Sequence, residues 1–516
     1  MRIKNILQYL EATAARLPDK TAFSDGNGGE ALSFSALLSA TRRIGSSLLS
    51  RGGQGARIAV FMDRHPSTIA AMLGVIAAGG CYVVLDASMP EARIIDIVAR
   101  GGVSLVICDA KNAARAQGLS LPVVDIETLR AAEIDETALA LVRTRQIDTD
   151  PIYMVFTSGS TGRPKGVVAC HRSVIDYAEA LLPALGVSQA SVFGCQSPLY
   201  FDAPLKEILS TLVAGATTYL IPRTAFAFPM QLLTYLREQQ INTVCWVVSA
   251  FLQISALGAL EKYPPTTLKT VVFGSEVFPR AHYDRWRAAL PDAVFYQLYG
   301  PTEATGMSCV WRADRALEAD EKIPIGAPLD NTDVLLLSEG GTRILPRDAE
   351  SSEAGEIYLR GSCVTLGYDH AQEETAAAFV QNPLNDAYPE TVYRTGDMAQ
   401  YNEHGELIFL GRRDAQIKIQ GHRVEPGEIE AAAMRCDTIA QACCVYVAEV
   451  RALVLFYAGS EAADTLRAAL GEVLAPYMMP RSIIQKQSLP KTANGKMNRR
   501  ELLAEAVALL LKKEPI

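Results

Sequence analysis

Several features that would indicate other kinds of protein are missing from this sequence of 516 residues. Its ten cysteines are scattered, form no CxxC pair and adjoin only at Cys443 and Cys444, so we predict reduced, mostly buried thiols rather than a disulfide framework. No segment approaches the ~20 apolar residues of a membrane span. The N-terminal segment carries charges every few residues and lacks the apolar stretch of a signal peptide. We therefore expect a cytoplasmic protein.

Concentrated basic charge is also absent. Lysine and arginine number 49 against 57 aspartates and glutamates, a net charge of −8 that is spread along the chain. The electrostatic footprint of a nucleic-acid binder is therefore missing. About half of the residues are hydrophobic, which allows a sizeable core, and the length suggests two or more domains. We expect small molecules and other proteins as partners, and neither nucleic acid nor membrane.

Short apolar runs rich in β-branched residues alternate with helical patterns through the first three quarters of the chain. Runs that are apolar on both faces, with helices between them, predict an α/β domain with mostly parallel sheets. After Asp414 the pattern becomes mixed and predicts a small α+β domain. We therefore predict a large N-terminal domain over residues 1–411 and a small C-terminal domain over residues 412–516.

The most informative segment is FTSGSTGRPKGV at residues 156–167, directly after an apolar run. Three glycines allow backbone N–H groups to approach an anion, four hydroxyls can donate, and Lys165 supplies positive charge, which together suit a polyphosphate. The segment is not a Walker loop, because Gly166 follows the lysine where a serine or threonine would stand. A flexible surface loop is the alternative interpretation of this run alone.

Four further motifs follow in order: YGPTEAT at 299–305, YRTGD at 393–397, GRRDAQIKIQGHRVEPGEIE at 411–430 and PKTANGK at 490–496. With the glycine-rich segment they resemble the adenylate-forming superfamily, which includes acyl-CoA synthetases, luciferases and the adenylation domains of nonribosomal peptide synthetases. The resemblance covers nearly the whole chain, from about residue 32 to its last helix. It implies that ATP activates a carboxylate as an acyl-adenylate, that pyrophosphate leaves, and that the acyl group then passes to a thiol.

The resemblance implies a role for each motif. Tyr299 stacks on adenine, Thr302 contacts the α-phosphate, Glu303 holds Mg²⁺ and Asp397 accepts hydrogen bonds from the ribose hydroxyls. Lys496 is the catalytic lysine, whose charge offsets the repulsion between the reacting carboxylate and the α-phosphate. Thr302, Glu303 and Lys496 form the implied catalytic set, and Glu303 is the implied metal ligand.

The residues implied to bind ATP come from several motifs. Gln297 stands where an asparagine that reads the adenine amino group is commoner, and its amide offers the same groups one methylene further out. The implied ATP-binding residues are Thr157, Ser158, Gly159, Ser160, Thr161, Gly162, Lys165, Gly274, Ser275, Glu276, Gln297, Tyr299, Gly300, Asp397 and Arg412.

PLYFDAPLKEI at residues 198–208 resembles the amino-acid branch of the superfamily, in which an aspartate, here Asp202, binds the substrate ammonium group. An anion in a largely apolar pocket is costly unless a cation pairs with it, so this residue selects for amines. A helix N-cap is the alternative role for Asp202. The other implied substrate-binding residues are Ala203, Lys206, Trp246, Val271, Phe273, Leu298, Gly306 and Met307.

The mostly apolar lining predicts a short cavity and a small amino acid. Lys206 is the exception: it either pairs with a polar or acidic side chain of the substrate or sends its ammonium to water. FGSEVFP at 273–279 is similar to stand-alone members that activate proline, D-alanine or β-amino acids, whereas VVSAF at 247–251 lacks the proline usual in that stretch. The substrate therefore stays unnamed.

The resemblance also implies a carrier and a moving domain. No GGxS segment of a fused phosphopantetheine carrier follows Lys496, so we expect the carrier to be another polypeptide. The small domain carries both Lys496 and Gly421, which serve different half-reactions, so it should be mobile and rotate about Asp414 as the hinge. Two rival interpretations are a CoA ligase of the same fold, against which Asp202 argues, and a catalytically inactive nucleotide-binding relative.

Overall fold

A computed structural model describes residues 2–26, 28–159, 163–318, 320–346, 353–414, 416–491 and 497–511. Its contacts divide the chain into two compact units. The larger unit comprises Met1–Leu85, Gly101–Val155 and Gly166–Arg413, and the smaller unit comprises Asp86–Arg100, Phe156–Lys165 and Asp414–Ile516. The main division thus lies two residues after the predicted boundary, and the smaller unit also takes up two segments that sequence reasoning assigned to the large domain.

The strands of the described residues are numbered in chain order. They are β1 Thr21–Ser24, β2 Ala31–Ser33, β3 Arg57–Phe61, β4 Cys81–Val84, β5 Leu105–Cys108, β6 Val123–Asp125, β7 Pro151–Thr157, β8 Lys165–Cys170, β9 Val192–Cys195, β10 Thr217–Leu220, β11 Thr243–Val247, β12 Thr270–Gly274, β13 Val294–Tyr299, β14 Cys309–Arg312, β15 Ala327–Pro328, β16 Thr332–Leu337, β17 Arg343–Ile344, β18 Gly355–Gly361, β19 Phe379–Gln381, β20 Thr391–Tyr401, β21 Leu407–Arg412, β22 Ile417–Ile419, β23 His422–Val424, β24 Ile439–Val447, β25 Ala452–Gly459 and β26 Ser482–Lys486.

The α-helices are numbered in the same way. They are α1 Leu7–Arg16, α2 Phe34–Ser50, α3 Pro66–Ala77, α4 Glu91–Arg100, α5 Ala113–Gln117, α6 Ile126–Arg130, α7 Glu136–Arg145, α8 His171–Ala184, α9 Leu205–Leu209, α10 Pro229–Glu238, α11 Val248–Ala256, α12 Ala259–Lys262, α13 Arg280–Ala289, α14 Gln372–Ala378, α15 Pro426–Ala433, α16 Ala463–Gly471 and α17 Arg499–Leu511.

Local chemistry explains several helix starts. The Ser33 side chain accepts a hydrogen bond from the backbone N–H of Ala36 and caps α2, and Asp125 accepts from the first backbone N–H groups of α6. Proline stands at the start of α3, α10 and α15, where the missing N–H would have no partner within the helix.

Two large sheets form the α/β part of the fold. The first has nine strands in the order β15-β14-β13-β12-β11-β9-β10-β1-β2, and the second has six in the order β6-β5-β3-β4-β7-β8. In the first sheet the pairings from β13 to β1 are parallel, and in the second the pairings that join β6, β5, β3, β4 and β7 are parallel. The predicted α/β class with mostly parallel sheets is confirmed for these two.

A third sheet departs from that prediction. Strands β16 to β21 form it, and their pairings are antiparallel throughout. The β20–β21 turn at residues 402–406 closes in a few residues, which suits antiparallel neighbours, because parallel strands need a longer crossover. The smaller unit is α+β as predicted, with α15, α16 and α17 beside the three-stranded sheet β24-β25-β26 and the hairpin β22-β23.

Alternate residues of the central strands enter two different hydrophobic clusters. On β12, Val272 belongs to the cluster that includes α2, α3 and α8, whereas Val271 and Phe273 belong to the cluster around α10, α11 and α13. This alternation is expected in a sheet that is covered on both faces, because successive side chains of a strand point to opposite faces. The strand therefore ends between two apolar layers, which is where the candidate site lies.

The cysteine and membrane predictions can also be compared with the structure. All ten cysteines lie in the described part of the chain; they are free thiols, and all except the partly exposed Cys436 are buried, as predicted. Among the helices of the described ranges, none combines the length and the apolar character that crossing a bilayer requires.

Candidate active site

A small cavity lies at the carboxyl ends of β11, β12 and β13. In open α/β sheets ligands bind beyond these strand ends, where successive loops diverge. The space is small and partly open to solvent. Six of the predicted substrate-binding residues line it: Ala203, Lys206, Trp246, Phe273, Leu298 and Met307.

Other residues differ from the predicted lining. Val271 is fully buried in the hydrophobic cluster that also contains Phe273, and it does not line the cavity. Sequence reasoning missed four lining residues, Ser197, Cys245, Val247 and Val272, and assigned two others, Gly274 and Ser275, to ATP. The β12 residues that line the cavity, Val272, Phe273 and Gly274, are the last three of the strand, and Val272 and Phe273 reach it from opposite faces of the sheet.

Asp202 and Gly306 lie together outside the lining of this cavity. A Cβ atom added to Gly306 would stand 3.8 Å from Oδ2 of Asp202 and 3.7 Å from the hydroxyl oxygen of Tyr177. Gly306 has φ of +94°, which only glycine adopts without strain. The absent side chain leaves room for a small group next to the Asp202 carboxylate.

The Asp202 carboxyl group is held in an environment that disfavours its charge. Burial raises its pKa, and a hydrogen bond with Thr302 and the positive charge of Lys206 oppose this shift. The N-cap alternative is wrong: α9 begins after Pro204 without a side-chain cap, and Asp202 contributes only its backbone carbonyl, which accepts from the N–H of Leu205. A cation next to Asp202 would favour its ionised form.

The indole of Trp246 fixes one wall of the cavity. Its Nε1–H donates a hydrogen bond of 2.7 Å to the carbonyl of Gly194 on β9, and its ring meets Phe226 edge-on with 5.3 Å between ring centroids. The ends of β12 and β13 also lie close together, because a Cβ on Gly274 would stand 2.5 Å from the carbonyl oxygen of Leu298. The wall between these strands is therefore rigid and closely packed.

A second group of predicted residues surrounds Asp397 on β20. The hydroxyl of Tyr299 donates to Oδ2 of Asp397 at 2.5 Å, and Arg412 donates to Oδ1 at 2.7 Å. The backbone N–H of Asp397 donates to the hydroxyl of Thr395 at 2.9 Å. This carboxylate is buried and oriented by both side-chain donors, as a group that must accept hydrogen bonds from a ligand requires.

Glu303 is fully buried within the short 3-10 helix Thr302–Ala304. The hydroxyl of Tyr368 donates to its Oε1 at 2.6 Å, and its backbone carbonyl accepts from the N–H of Thr365. Tyr368 comes into reach because it pairs with Val167 in an isolated antiparallel bridge. Sequence reasoning missed Tyr368, since no local pattern marks a residue that acts through such a long-range pairing.

Glu303 is the residue that the sequence predicts to hold magnesium. Within the described ranges there is no group of three or more histidine, cysteine, aspartate or glutamate residues that could hold a metal ion. Magnesium commonly keeps several waters and uses one or two carboxylates together with phosphate oxygens. The carboxylate of Glu303 fits that pattern.

Gln297 and Glu276 are two further residues predicted to bind ATP. Gln297 is buried, and its Oε1 has no hydrogen-bond partner among the described residues, as an acceptor for an amino group would have before its ligand binds. Glu276 accepts a hydrogen bond from the backbone N–H of Ser249 at the start of α11. Gly300 is confined, because a Cβ there would stand 2.4 Å from the carbonyl oxygen of Gly306.

The glycine-rich segment belongs to the smaller unit. The hydroxyl of Thr157 is buried and has no hydrogen-bond partner in the described structure, whereas that of Ser158 donates to the carbonyl of Arg423 at 2.8 Å. A Cβ on Gly159 would stand 2.0 Å from the carbonyl oxygen of Arg163, so no larger residue fits at this position. Lys165 begins β8.

Some predicted residues cannot be placed. Ser160, Thr161, Gly162 and Lys496 lie outside the described residues. The hinge candidate Asp414 is the first residue of the last segment of the smaller unit, and its Oδ1 accepts a hydrogen bond from the backbone N–H of Gln416 at 3.1 Å.

Two family models match the chain. The AMP-binding enzyme model covers residues 10–369, and the model of the AMP-binding enzyme C-terminal domain covers residues 428–496. The chain belongs to the AMP-binding enzyme family, and sequence reasoning identified this adenylate-forming family correctly.

The curated proteins that are similar to this chain include two bacterial synthases. The chain is 31% identical over 512 residues to tyrocidine synthase 3 of Brevibacillus parabrevis, covering 96% of this chain and 8% of that protein. It is 31% identical over 505 residues to surfactin synthase subunit 2 of Bacillus subtilis, covering 96% of this chain and 14% of that protein. The chain thus spans only a small part of the length of these relatives.

Solved structures share the fold. Holo-PA1221, a nonribosomal peptide synthetase protein with adenylation and PCP domains, superposes with a TM-score of 0.84 at 26% identity, covering 97% of this chain and 84% of that one. IdnL1 superposes with a TM-score of 0.80 at 26% identity, covering 95% of this chain and 100% of that one. An o-succinylbenzoate CoA synthetase from Bacillus subtilis, at 19% identity and a TM-score of 0.82 over 97% of this chain and 98% of that one, shows the fold alone.

Proposed function

We propose that this protein uses Mg-ATP to activate the carboxylate of a small amino acid as an aminoacyl-adenylate, releases pyrophosphate, and transfers the aminoacyl group to the phosphopantetheine thiol of a carrier protein in the cytoplasm. The observation that carries the amino-acid assignment is the Asp202 carboxylate beside Gly306, where a Cβ atom would stand 3.8 Å from Oδ2. Membership of the AMP-binding family supports the adenylation step.

In the proposed reaction some residues bind the substrate through charge and others limit its size. Asp202 pairs with the substrate ammonium, and the cavity walls around Trp246 and Leu298 limit the size of the side chain. No general base is needed at the substrate, because a carboxylate is already ionised at neutral pH. Catalysis of this reaction therefore consists mainly of holding two anionic groups in contact against their repulsion.

Nucleotide binding falls to the second group of residues. Tyr299 and Gln297 serve the adenine, and Asp397, oriented by Tyr299 and Arg412, accepts from the ribose hydroxyls. Residues 157–165 bind the β- and γ-phosphates. Magnesium held at Glu303 would neutralise phosphate charge, and Lys496 stabilises the charge that builds up at the α-phosphate.

Pyrophosphate exchange tests the adenylation step. A panel of amino acids is compared with the matching carboxylic acids that lack the amine, and we expect exchange only with the amines. Asp202→Asn should lower kcat/KM for the amino acid by about 30-fold or more, the size expected for removing one partner of a buried charge pair, with ATP affinity unchanged. Asp330→Asn, at an exposed position, is the control.

The rival functions give different outcomes in the same assay. Exchange supported by acids without an amine would indicate a CoA ligase, and mass spectrometry of a carrier protein or of CoA after incubation shows which thiol is acylated. Loss of exchange with every substrate, together with retained ATP binding, would indicate an inactive relative. Similarity to an adenylation protein with a PCP domain favours the carrier.

A further inference from the structure

Lys206 is a buried lysine in an otherwise largely apolar cavity. It is 5% exposed, so its ammonium does not reach bulk water and the second alternative from the sequence is wrong. Its Nζ donates one hydrogen bond of 2.7 Å, to the carbonyl of Ala203. Among the described residues no carboxylate lies within ion-pair distance of this ammonium, which carries three donors. The cavity therefore presents a positive charge with unused donor capacity.

Glu207, the next residue of α9, is a buried carboxyl group that does not line the cavity. It is fully buried, and neither of its carboxylate oxygens has a hydrogen-bond partner in the described structure. Burial raises its pKa to about 7, while the charges of Lys206 and Arg64 oppose that shift. An isolated buried carboxylate is costly, so this group ionises only because these two cations lie near it.

Five titratable groups interact electrostatically with Glu207. Lys206 and Arg64 are the cations, and the others are the thiols of Cys195 and Cys245 and the phenol of Tyr177. Burial raises the pKa of both thiols and of the phenol, so these groups are neutral at pH 7. Glu207 is therefore the group of this cluster that changes charge near neutral pH.

We propose that Lys206 binds the side-chain carboxylate of an acidic amino acid, and that Glu207 is a positioning residue whose negative charge competes with that carboxylate for Lys206. The inference rests on the proposed function, since it names the substrate class of the same site. Asp202 pairs with the substrate ammonium, and Lys206 pairs with the substrate side chain. The reacting carboxylate remains for ATP.

Proton binding at Glu207 follows from this arrangement. An acidic substrate adds a negative charge next to Lys206, which leaves the ionised form of Glu207 with less compensation. The substrate therefore binds more tightly when Glu207 is protonated, and its binding is accompanied by proton uptake. As pH rises through about 7, Glu207 ionises and KM for an acidic amino acid should rise, whereas KM for the matching amide should not follow the same profile.

Pyrophosphate exchange by the whole chain tests the proposal. Aspartate, glutamate, β-aspartate, their amides and apolar amino acids of similar size are compared between pH 6 and 9. We expect an acidic amino acid to be preferred. Lys206→Met should lower its kcat/KM by about 10- to 150-fold, the range for one lost hydrogen bond to a charged group, and improve apolar substrates relative to it. Lys269→Met, at an exposed position, is the matched control.

Glu207→Gln separates a positioning role from a structural one. It should remove the pH dependence of KM for the acidic substrate and lower KM at pH 8, with kcat little changed. Glu238→Gln, at an exposed position, should keep the wild-type profile. Thermal unfolding and ATP binding of each variant report whether the fold is intact.

The outcomes distinguish failure of the acidic-substrate inference from failure of the proposed function. Preference for an apolar amino acid that Lys206→Met leaves unchanged would overturn the acidic-substrate inference while the proposed function stands. No exchange with any amino acid would overturn the proposed function itself. A pH profile that persists in Glu207→Gln would show that another group controls binding and would overturn the role of Glu207.

Discussion

The hydroxyl of Tyr299 lies 2.5 Å from Oδ2 of Asp397, although 98 residues separate them in the chain. Tyr299 ends β13 of the first sheet and Asp397 lies on β20 of the third. The hydrogen bond therefore links the two sheets and orients the carboxylate that we assign to the ribose. Arg412 holds the other oxygen, so each carboxylate oxygen already has one donor.

Tyr299→Phe tests this link while keeping the aromatic ring. We expect the free energy of unfolding to fall by about 1 kcal/mol, because the buried oxygen of Asp397 loses a donor. KM for ATP should rise several-fold, since the carboxylate is less well oriented. Denaturant unfolding and pyrophosphate exchange measure the two effects. Tyr388→Phe, at a position 57% exposed, is the control and should change neither quantity. Unchanged stability and KM in Tyr299→Phe would mean that Arg412 alone positions Asp397.

Gly306→Ala tests the space beside Asp202. Its Cβ would contact Oδ2 of Asp202 and the hydroxyl of Tyr177, so KM for the amino acid should rise while ATP affinity stays the same. Gly341 is a matched control, because it also has positive φ but a Cβ there meets nothing within 4 Å. Both alanine variants should lose about 1 kcal/mol of stability through backbone strain. An equal effect of the two variants on amino-acid KM would contradict the placement of the ammonium beside Gly306.

Lys496→Ala tests the implied catalytic lysine, which lies outside the described residues. Loss of a preorganised charge at a transition state lowers rates by about two to three orders of magnitude. We therefore expect pyrophosphate exchange to fall by that amount and ATP binding to remain. Lys322→Ala, at an exposed position, serves as the comparison. Exchange near the wild-type rate in Lys496→Ala would remove the lysine from the mechanism.

Asp414→Pro tests the hinge. Proline holds φ near −65° and also restricts the residue before it, here Arg413. If the half-reactions need different backbone conformations at this residue, pyrophosphate exchange should persist while transfer to a carrier protein is lost. Asp414→Ala loses the side-chain contact to Gln416 but keeps φ free, so it should transfer normally. Carrier loading at the wild-type rate by the proline variant would place the hinge elsewhere or exclude rotation.

Sequence reasoning was most informative where function depends on a short contiguous motif. The glycine-rich segment is an example, because glycine is required at position 159, where a Cβ would stand 2.0 Å from the carbonyl oxygen of Arg163, four residues further along the chain. Family membership and the α/β class follow from such motifs and from the apolar strands, and both are confirmed. The antiparallel third sheet was missed, since its pairing depends on which strands meet rather than on their composition.

Pocket residues were predicted less completely. Val271 was placed in the lining by resemblance to the family, but only the last three residues of β12 line the cavity. Tyr368 was missed because its contact with Glu303 follows from the pairing of β8 with a distant loop. Nothing in the sequence marked Glu207 as a functional residue apart from its position next to Lys206. A glutamate that is buried in the fold cannot be distinguished by sequence from one on the exposed face of a helix.

The sequence by itself determined the family, the order of the motifs and the residue types that can bind phosphate, ribose and an ammonium group, because each depends on side-chain chemistry and local spacing. Only the tertiary structure decided which of these side chains are desolvated and which charges face one another. Lys206 shows the difference. From the sequence its ammonium could either extend into water or pair with a substrate side chain, and its burial among apolar strand ends excluded the extension into water. Burial sets the energy of a charge, and burial is a property of the assembled fold.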